Sequence, residues 1–206
     1  MQSLKSFTRS VFVALAVLLV SAPAMADDAA EQFVSDILAE AEPALISNDR
    51  DEILAAIQKL ADEHVDMRRV GLFTAGQYAR QMSDTQREEY LTLFRKYATL
   101  VYQKSLSEYS GQRLTVVGSV DRSERDIIVN SRIADAPAGS GAADLLVHWR
   151  VYRDREGNMS IVDSGANNVW LAIEQRSQFT SVIANNGGGS AGIDALIAQL
   201  RQQVGE

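Results

Sequence analysis

Residues 83–108 read SDTQREEYLTLFRKYATLVYQKSLSE, and this stretch predicts the longest helix of the chain, with at least six turns. Ser83 and Gln86 form a capping-box pattern, in which a hydroxyl and an amide satisfy backbone N–H groups at the start of a helix. The apolar residues that follow, from Tyr90 to Leu106, recur every three or four positions, which is helical spacing. We therefore predict a helix over residues 84–108 that carries an aromatic stripe.

Beyond Gly111 the apolar period changes from 3.6 to 2, which indicates strands. We predict strands over residues 113–120, 126–133, 143–154 and 159–163, with a loop at 134–141 and a hairpin turn at 155–158. Four strands with short connections make an antiparallel meander. In the third strand, Val147, Trp149 and Val151 share one face, and His148 takes the other.

Helical spacing returns on both sides of these strands. We predict helices over residues 31–46, 49–62, 169–184 and 193–204, with short helices and turns at 65–81 and a glycine-rich loop at 185–190. Asn48 is expected to cap the second of these helices. The pattern predicts an α+β fold in which the helices pack on one face of the sheet.

The first 26 residues have the features of a secretory signal peptide. Two basic residues, Lys5 and Arg9, precede a ten-residue apolar run, and Ala24 and Ala26 are the small residues of a cleavage site. We expect cleavage after Ala26 and a single domain over residues 27–206. That domain has 18 basic and 27 acidic residues, a net charge of −9, which disfavours nucleic-acid binding. A soluble periplasmic protein fits these features.

The chain has few of the residues and motifs that are typical of enzymes. It has no cysteine and two histidines, and it lacks the G-x-S-x-G pattern of many hydrolases. His148 is expected to be structural or solvent-facing, and His64 with Asp66 offers only two of the ligands a metal site needs. We therefore predict no enzyme activity, no metal site and no cofactor. The positive feature is apolar: the aromatic stripe and the strands indicate either plain core packing or a cavity for a hydrophobic ligand.

Several motifs, in order along the chain, resemble the MlaC family, the periplasmic phospholipid carriers of the Mla system, also called the toluene-tolerance auxiliary family. The motifs are Arg68-Arg69-Val70-Gly71, Ala79-Arg80, Gln86-Arg87-Glu88-Glu89-Tyr90, Phe94, Tyr102, Leu106, Tyr109, Val151-Tyr152, Gly157, Ile161-Val162-Asp163, Gln175-Arg176-Ser177-Gln178-Phe179 and Ile193-Asp194-Ala195-Leu196-Ile197. The resemblance covers residues 30–202. The sequence departs from the family pattern at Met159, where many members have tryptophan, and after Asp163.

The resemblance implies an NTF2-like antiparallel sheet packed against helices, with an apolar pocket between them that holds the acyl chains of a phospholipid. The cargo would pass between an outer-membrane lipoprotein-porin complex and an inner-membrane ABC transporter, which maintains the lipid asymmetry of the outer membrane. The residues expected to line or border the pocket are Phe73, Tyr90, Phe94, Tyr97, Val101, Tyr102, Leu106, Val116, Val147, Trp149, Val151, Val162, Trp170, Ile173 and Phe179. Arg80 and Arg87 are expected to pair with nearby acids.

Two other functions stay open on the sequence. An NTF2-like enzyme acting on a hydrophobic substrate would use a carboxylate base such as Asp163 beside the cavity. An interaction module would instead fill its apolar cleft with a helix of a partner protein.

Overall fold

The computed structural model describes residues 27–45, 49–107, 113–137, 139–142, 144–167 and 169–206. Its helices are α1 (Asp28–Leu45), α2 (Arg50–His64), α3 (Met67–Thr74), α4 (Asp84–Ser107), α5 (Leu171–Asn185) and α6 (Gly189–Val204), with a 3₁₀ helix at Gly76–Arg80. Its strands are β1 (Leu114–Ser123), β2 (Asp126–Ile133), β3 (Leu146–Arg153), β4 (Met159–Ala166) and β5 (Val169–Trp170). The predicted α+β class is confirmed.

Helix α4 begins as the capping box predicts. The Ser83 backbone N–H donates to Gln86 Oε1, and the Gln86 backbone N–H donates to Ser83 Oγ, each at 3.1 Å. These two bonds satisfy amides that have no partner within the helix. The Gln86 side-chain amide also donates to Asp194 Oδ1 at 2.6 Å, so the same residue ties the start of α4 to α6.

The strands form one antiparallel sheet in the order β1-β2-β3-β4-β5. The register places Ile127, Val129, Trp149, Val151 and Ile161 on one face, which we call the inner face. The neighbouring positions, Asp126, Ile128, Asn130, His148, Arg150 and Tyr152, lie on the opposite, outer face. The prediction that Val147, Trp149 and Val151 share a face opposite His148 is therefore confirmed.

Helix α1 covers the inner face. Its buried residues Ala30, Val34 and Ile37 pack with buried residues of β2, β3 and β4, and we call this cluster the sheet core. The start of the helix is fixed at two points: the Asp27 backbone N–H donates to Ser119 Oγ, and the Arg153 guanidinium pairs with the Asp27 carboxylate. The hydrogen bond to Arg153 helps to hold the pKa of Asp27 below its usual value, although partial burial opposes that effect.

Helices α3 to α6 build a second cluster, the helical core, beside the edge of the sheet. Its largest buried side chains are Tyr90, Phe94 and Phe179. Gly71 lets α3 approach α4 closely, because a Cβ at this position would lie 2.9 Å from both Leu91 Cδ2 and Phe94 Cδ1. The sheet contributes Val162 to this core. The register between β3 and β4 shifts at Val162, and such a bulge redirects a side chain away from the alternating pattern.

Several predicted boundaries differ from the structure. The cap of α2 is Asp49, whose side chain accepts from the backbone of Asp51 and Glu52; Asn48 lies outside the described residues. Residues 169–170, predicted as helix, form β5 because they pair with Gly165 and Ala166 after a tight turn. No helix in the described part of the chain combines the length and apolar character needed to cross a bilayer.

Candidate functional site

The aromatic residues predicted from α4 form a closed cluster. Tyr90, Phe94 and Phe179 are at most 1% exposed, and their ring centroids lie 6.0–6.4 Å apart. The Tyr90 hydroxyl donates to the Gly71 carbonyl oxygen at 2.9 Å and lies 2.8 Å from Thr74 Oγ1. Burial raises the pKa of Tyr90 well above its usual value. These three side chains are packed as closely as those of an ordinary protein interior, and they leave no space for a ligand between them.

Three further predicted residues lie at the border of the helical core. Tyr97 is half-buried with its ring 5.6 Å from that of Phe179, and partial burial raises its pKa. Phe73 packs against the same core, and the Arg176 guanidinium lies 4.8 Å from its ring centroid. Val162 reaches this core through the bulge in β4.

The inner face of the sheet is closed at one end and open at the other. Near the β2–β3 pairing of Ile127 with Val151, both side chains are fully buried under α1. Toward the start of β3, Val147 and Trp149 are only half-buried. Val116 of β1 is also half-buried, and it lies across Ser131 of β2 from Val147. We call these three residues, with the strand ends that carry them, the open end. The Trp149 indole N–H donates to Ser131 Oγ at 2.9 Å. The one polar atom of this side chain therefore has a partner, and the rest of the ring is apolar.

The second half of α4 runs beside the first half of α2. The Gln103 side-chain amide donates to the Leu54 carbonyl oxygen at 3.3 Å, which joins the two helices at this level. Val101, one of the predicted pocket residues, is half-buried on this part of α4. The side chains of Tyr102 and Leu106, also predicted for the pocket, lie outside the described residues.

The last two predicted residues lie at the β5–α5 junction. Trp170 pairs with Gly165 on the outer face, and its ring stacks on that of His148 with a centroid distance of 5.6 Å. Ile173 follows on α5 and is 48% exposed. His148 also contacts Asn130, with 2.7 Å between Nδ1 and Oδ1. The structure thus distributes the predicted pocket residues over the helical core, the inner face and the outer face.

Asp163, the candidate base of the enzyme alternative, is a buried carboxyl group at the β4–α5 junction. It is 3% exposed, and its Oδ1 accepts from the backbone N–H groups of Ser164 and Ala172, each at 2.9 Å. Burial raises the pKa of Asp163, while these two hydrogen bonds and the charge of Arg150 act in the opposite direction. The contact with Ala172 fixes the start of α5 on the sheet.

One group of side chains in the described residues has the spacing of a metal site. Ligand atoms of Glu40, Glu63 and His64 lie within 4.8 Å of one another. Lys59 Nζ lies 2.6 Å from Glu40 Oε1 and supplies a positive charge to the same cluster. The two glutamates are exposed, and His64 Nε2 lies 3.1 Å from Glu40 Oε2. The arrangement is that of an exposed ion-pair network.

Sequence reasoning missed two charged contacts on the outer face. Arg150 and Asp126 form a two-bond ion pair, with both N–O distances at 2.8 Å. The Arg69 guanidinium lies 3.7 Å from the Tyr152 ring centroid, which joins α3 to the sheet. Alternation along the strands could have placed Asp126 and Arg150 on a shared face only if the register had been known.

Comparisons with known proteins agree with this architecture. The family model described as "MlaC protein" matches residues 28–202, whereas no curated protein matches the chain. A solved structure of a phospholipid-binding protein from Ralstonia solanacearum, in complex with a phospholipid, is similar with a TM-score of 0.65. The match covers 85% of this chain and 94% of that chain at 20% identity, a level at which the likeness establishes the fold. The family match spans nearly all the described residues, and the chain belongs to the MlaC family.

Proposed function

We propose that the protein binds a phospholipid, with the acyl chains inserted at the open end of the inner face. The observation that carries this proposal is the incomplete burial of Val116, Val147 and Trp149 on the same sheet face that buries Ile127 and Val151 completely. The similar protein from R. solanacearum holds a phospholipid in the same fold. Apolar side chains that remain half-exposed on a curved sheet offer a surface that an acyl chain covers.

The physical basis of such binding is the cost of exposing acyl chains to water. Each buried methylene contributes about 0.8 kcal/mol, so a lipid with two long chains does not cross an aqueous space unprotected. Tyr97 and Val101, which are half-buried on α4, lie on the helical side of this space in our proposal. The fully buried Tyr90, Phe94 and Phe179 then support the fold without contacting the cargo.

We further propose that this binding serves transport through the periplasm. The chain would pass lipid between an outer-membrane lipoprotein-porin complex and an inner-membrane ABC transporter, after removal of residues 1–26. This role requires no catalysis and no cofactor other than the lipid cargo. The excess of acidic residues would limit adhesion to anionic membranes, so that docking depends on specific partner complexes.

The first test is native mass spectrometry of the protein purified from the periplasm, followed by organic extraction. We expect a mass excess that resolves into phospholipid. Val147→Glu should abolish that excess because it places a carboxylate at the open end. Val120→Glu is the matched control, since Val120 is 46% exposed and pairs with Ile128 of the outer face. A lipid-free wild-type protein that also stays free after incubation with vesicles would contradict the proposal.

The two tryptophans provide a test of location, because Trp149 lies on the inner face and Trp170 on the outer face. Phospholipids brominated on the acyl chain quench indole fluorescence at short range. We expect such lipids to quench the Trp170→Phe variant, which retains Trp149, and to leave the Trp149→Phe variant nearly unquenched. Quenching of Trp170 alone would move the cargo to the outer face.

A further inference from the structure

The start of α1 is held in a polar network that engages the backbone and the carboxylate of Asp27. The Asp27 backbone N–H donates to Ser119 Oγ of β1 at 2.8 Å, and its carboxylate accepts from the Ala30 backbone N–H at 2.9 Å. The Asp27 carbonyl oxygen accepts from the Glu31 backbone N–H at 2.9 Å, and Arg153 Nη2 of β3 lies 2.6 Å from Asp27 Oδ2. The network therefore joins the helix to two strands of the sheet.

The side chain of Glu31 contacts the same serine. The Ser119 hydroxyl donates to Glu31 Oε1 at 2.7 Å, so the Asp27 nitrogen and the Glu31 carboxylate share one hydroxyl oxygen as their neighbour. Glu31 is half-buried, and it forms no ion pair with any residue in the described part of the chain. A partly buried carboxylate of this kind is stabilised by a cationic hydrogen-bond donor.

The carboxylates of this network outnumber its cations. Asp27 and Glu31 are two carboxylates, and Arg153 is the one guanidinium that contacts them among the described residues. Asp121 lies two residues after Ser119 on the same face of β1 and adds a further negative charge to this side. The network thus has an excess of negative charge, and the Asp27 nitrogen is the atom on which a compensating charge can arise.

We propose that the network is a binding site for the α-ammonium group that cleavage after Ala26 creates on Asp27. This inference rests on the proposed export of the chain. While residue 26 is attached, the Asp27 nitrogen is a neutral amide with one proton. Hydrolysis by a signal peptidase adds water across the Ala26–Asp27 bond, which leaves a carboxylate on Ala26 and an ammonium group with three protons on Asp27 at neutral pH. One N–H would keep the bond to Ser119, and another would donate to Glu31.

The acidic start of α1 suits such a charge. A cation at the first residue of a helix is normally unfavourable, because this end of the helix dipole is itself positive. Asp28 and Glu31 in the first turn, together with the Asp27 carboxylate, offset that effect. Removal of the signal peptide would therefore complete the attachment of α1, the helix that covers the face on which we place the cargo.

The test compares two chains that carry the same number of charges. One begins at Asp27; the other begins at Ala26, which moves the ammonium group one residue away and restores the amide at Asp27. Each is produced with a tag whose protease leaves no extra residue. We expect the chain that begins at Asp27 to unfold at a temperature about 2–4 °C higher at about pH 7. The ion pair favours the protonated amine, so the gap should close as that amine loses its proton toward about pH 10.

Two substitutions on α1 separate the ion pair from other effects of the extra residue. Glu31→Gln removes the proposed partner, so the gap between the two chains should be lost at about pH 7. Glu42→Gln is the matched control, because Glu42 lies on the same helix, is also half-buried and forms no ion pair with the residues that the structure describes. In that background the gap should remain.

Equal unfolding temperatures of the two chains, a gap that persists at about pH 10, or a gap retained in Glu31→Gln would each overturn the proposal. N-terminal sequencing of the protein from the periplasm checks the processing step, and a first residue other than Asp27 would overturn the proposal as well. None of these measurements involves lipid. A failure of the proposed phospholipid binding is therefore distinguishable from a failure of this inference.

Discussion

The helical core and the open end of the inner face use the same kinds of side chain but differ in how completely they bury them. Phe94 is fully buried and is in edge contact with Phe179, whereas Trp149 is only half-buried beside Val147. Both regions follow from apolar residues at regular spacing. The difference shows that periodicity identifies inward-facing positions but does not say how completely the fold covers each of them.

The cause of this difference is the arrangement of the helices. Helices α3 to α6 pack against one another on several sides, so the side chains between them have neighbours in every direction. The inner face is covered by one principal helix, α1, whose buried residues pack in one cluster with the buried residues of β2, β3 and β4. Val116, Val147 and Trp149 stay half-buried on this face, and we propose that the cargo covers them.

Phe94→Ala gives the largest expected effect, and it tests whether the helical core is packed more completely than the open end. Removal of this buried ring should lower the free energy of unfolding by about 3–5 kcal/mol, measured by urea denaturation. The lipid content of the molecules that remain folded should not change, because Phe94 lies away from the proposed cargo. Val147→Ala is the counterpart at the open end, and it should cost less than about 1 kcal/mol because its side chain is only half-buried. Equal losses of stability would mean that the two regions are packed alike.

The parts of the fold that depend on local signals could be predicted from the sequence. Ser83 and Gln86 form both bonds of the capping box, because the two side chains and the amides they satisfy lie within one turn. The strands were predicted from period-2 alternation, which holds wherever one face of a sheet is buried. Strand β5 carries no such signal, since two residues that pair across a tight turn show no period.

The location of the site could not be predicted in the same way. Phe73 and Val116 were both predicted to line or border one pocket, yet they belong to different cores because helix packing is a non-local property. Val162 reaches the helical core through a bulge that only the register reveals. Asp163 was a candidate base by residue type, and its bond to the Ala172 amide joins residues nine positions apart, so only the folded structure reveals this contact.

The outer face of the sheet differs from both apolar regions, because its half-buried groups include a charged pair whose members neutralise each other. Asp126 accepts two hydrogen bonds from Arg150, and these hold the pKa of Asp126 below its ordinary value, with partial burial acting in the opposite direction. Asp126→Asn should therefore lower the free energy of unfolding at pH 7 by about 1.5–3 kcal/mol. Lipid content should stay at the wild-type value because the pair lies on the face opposite the proposed cargo.

The pH dependence of this effect has a defined sign. A carboxylate whose pKa is lower in the folded state contributes stability above its unfolded pKa and loses that contribution as the pH falls through its folded pKa. The unfolding curves of wild type and Asp126→Asn should thus be farthest apart near neutral pH and should converge as the pH falls below 3.8, the ordinary value for this group. A constant gap from pH 7 to pH 3 would show that the substitution acts through packing rather than through the Arg150 pair. Lost lipid at neutral pH would instead place part of the cargo site on the outer face.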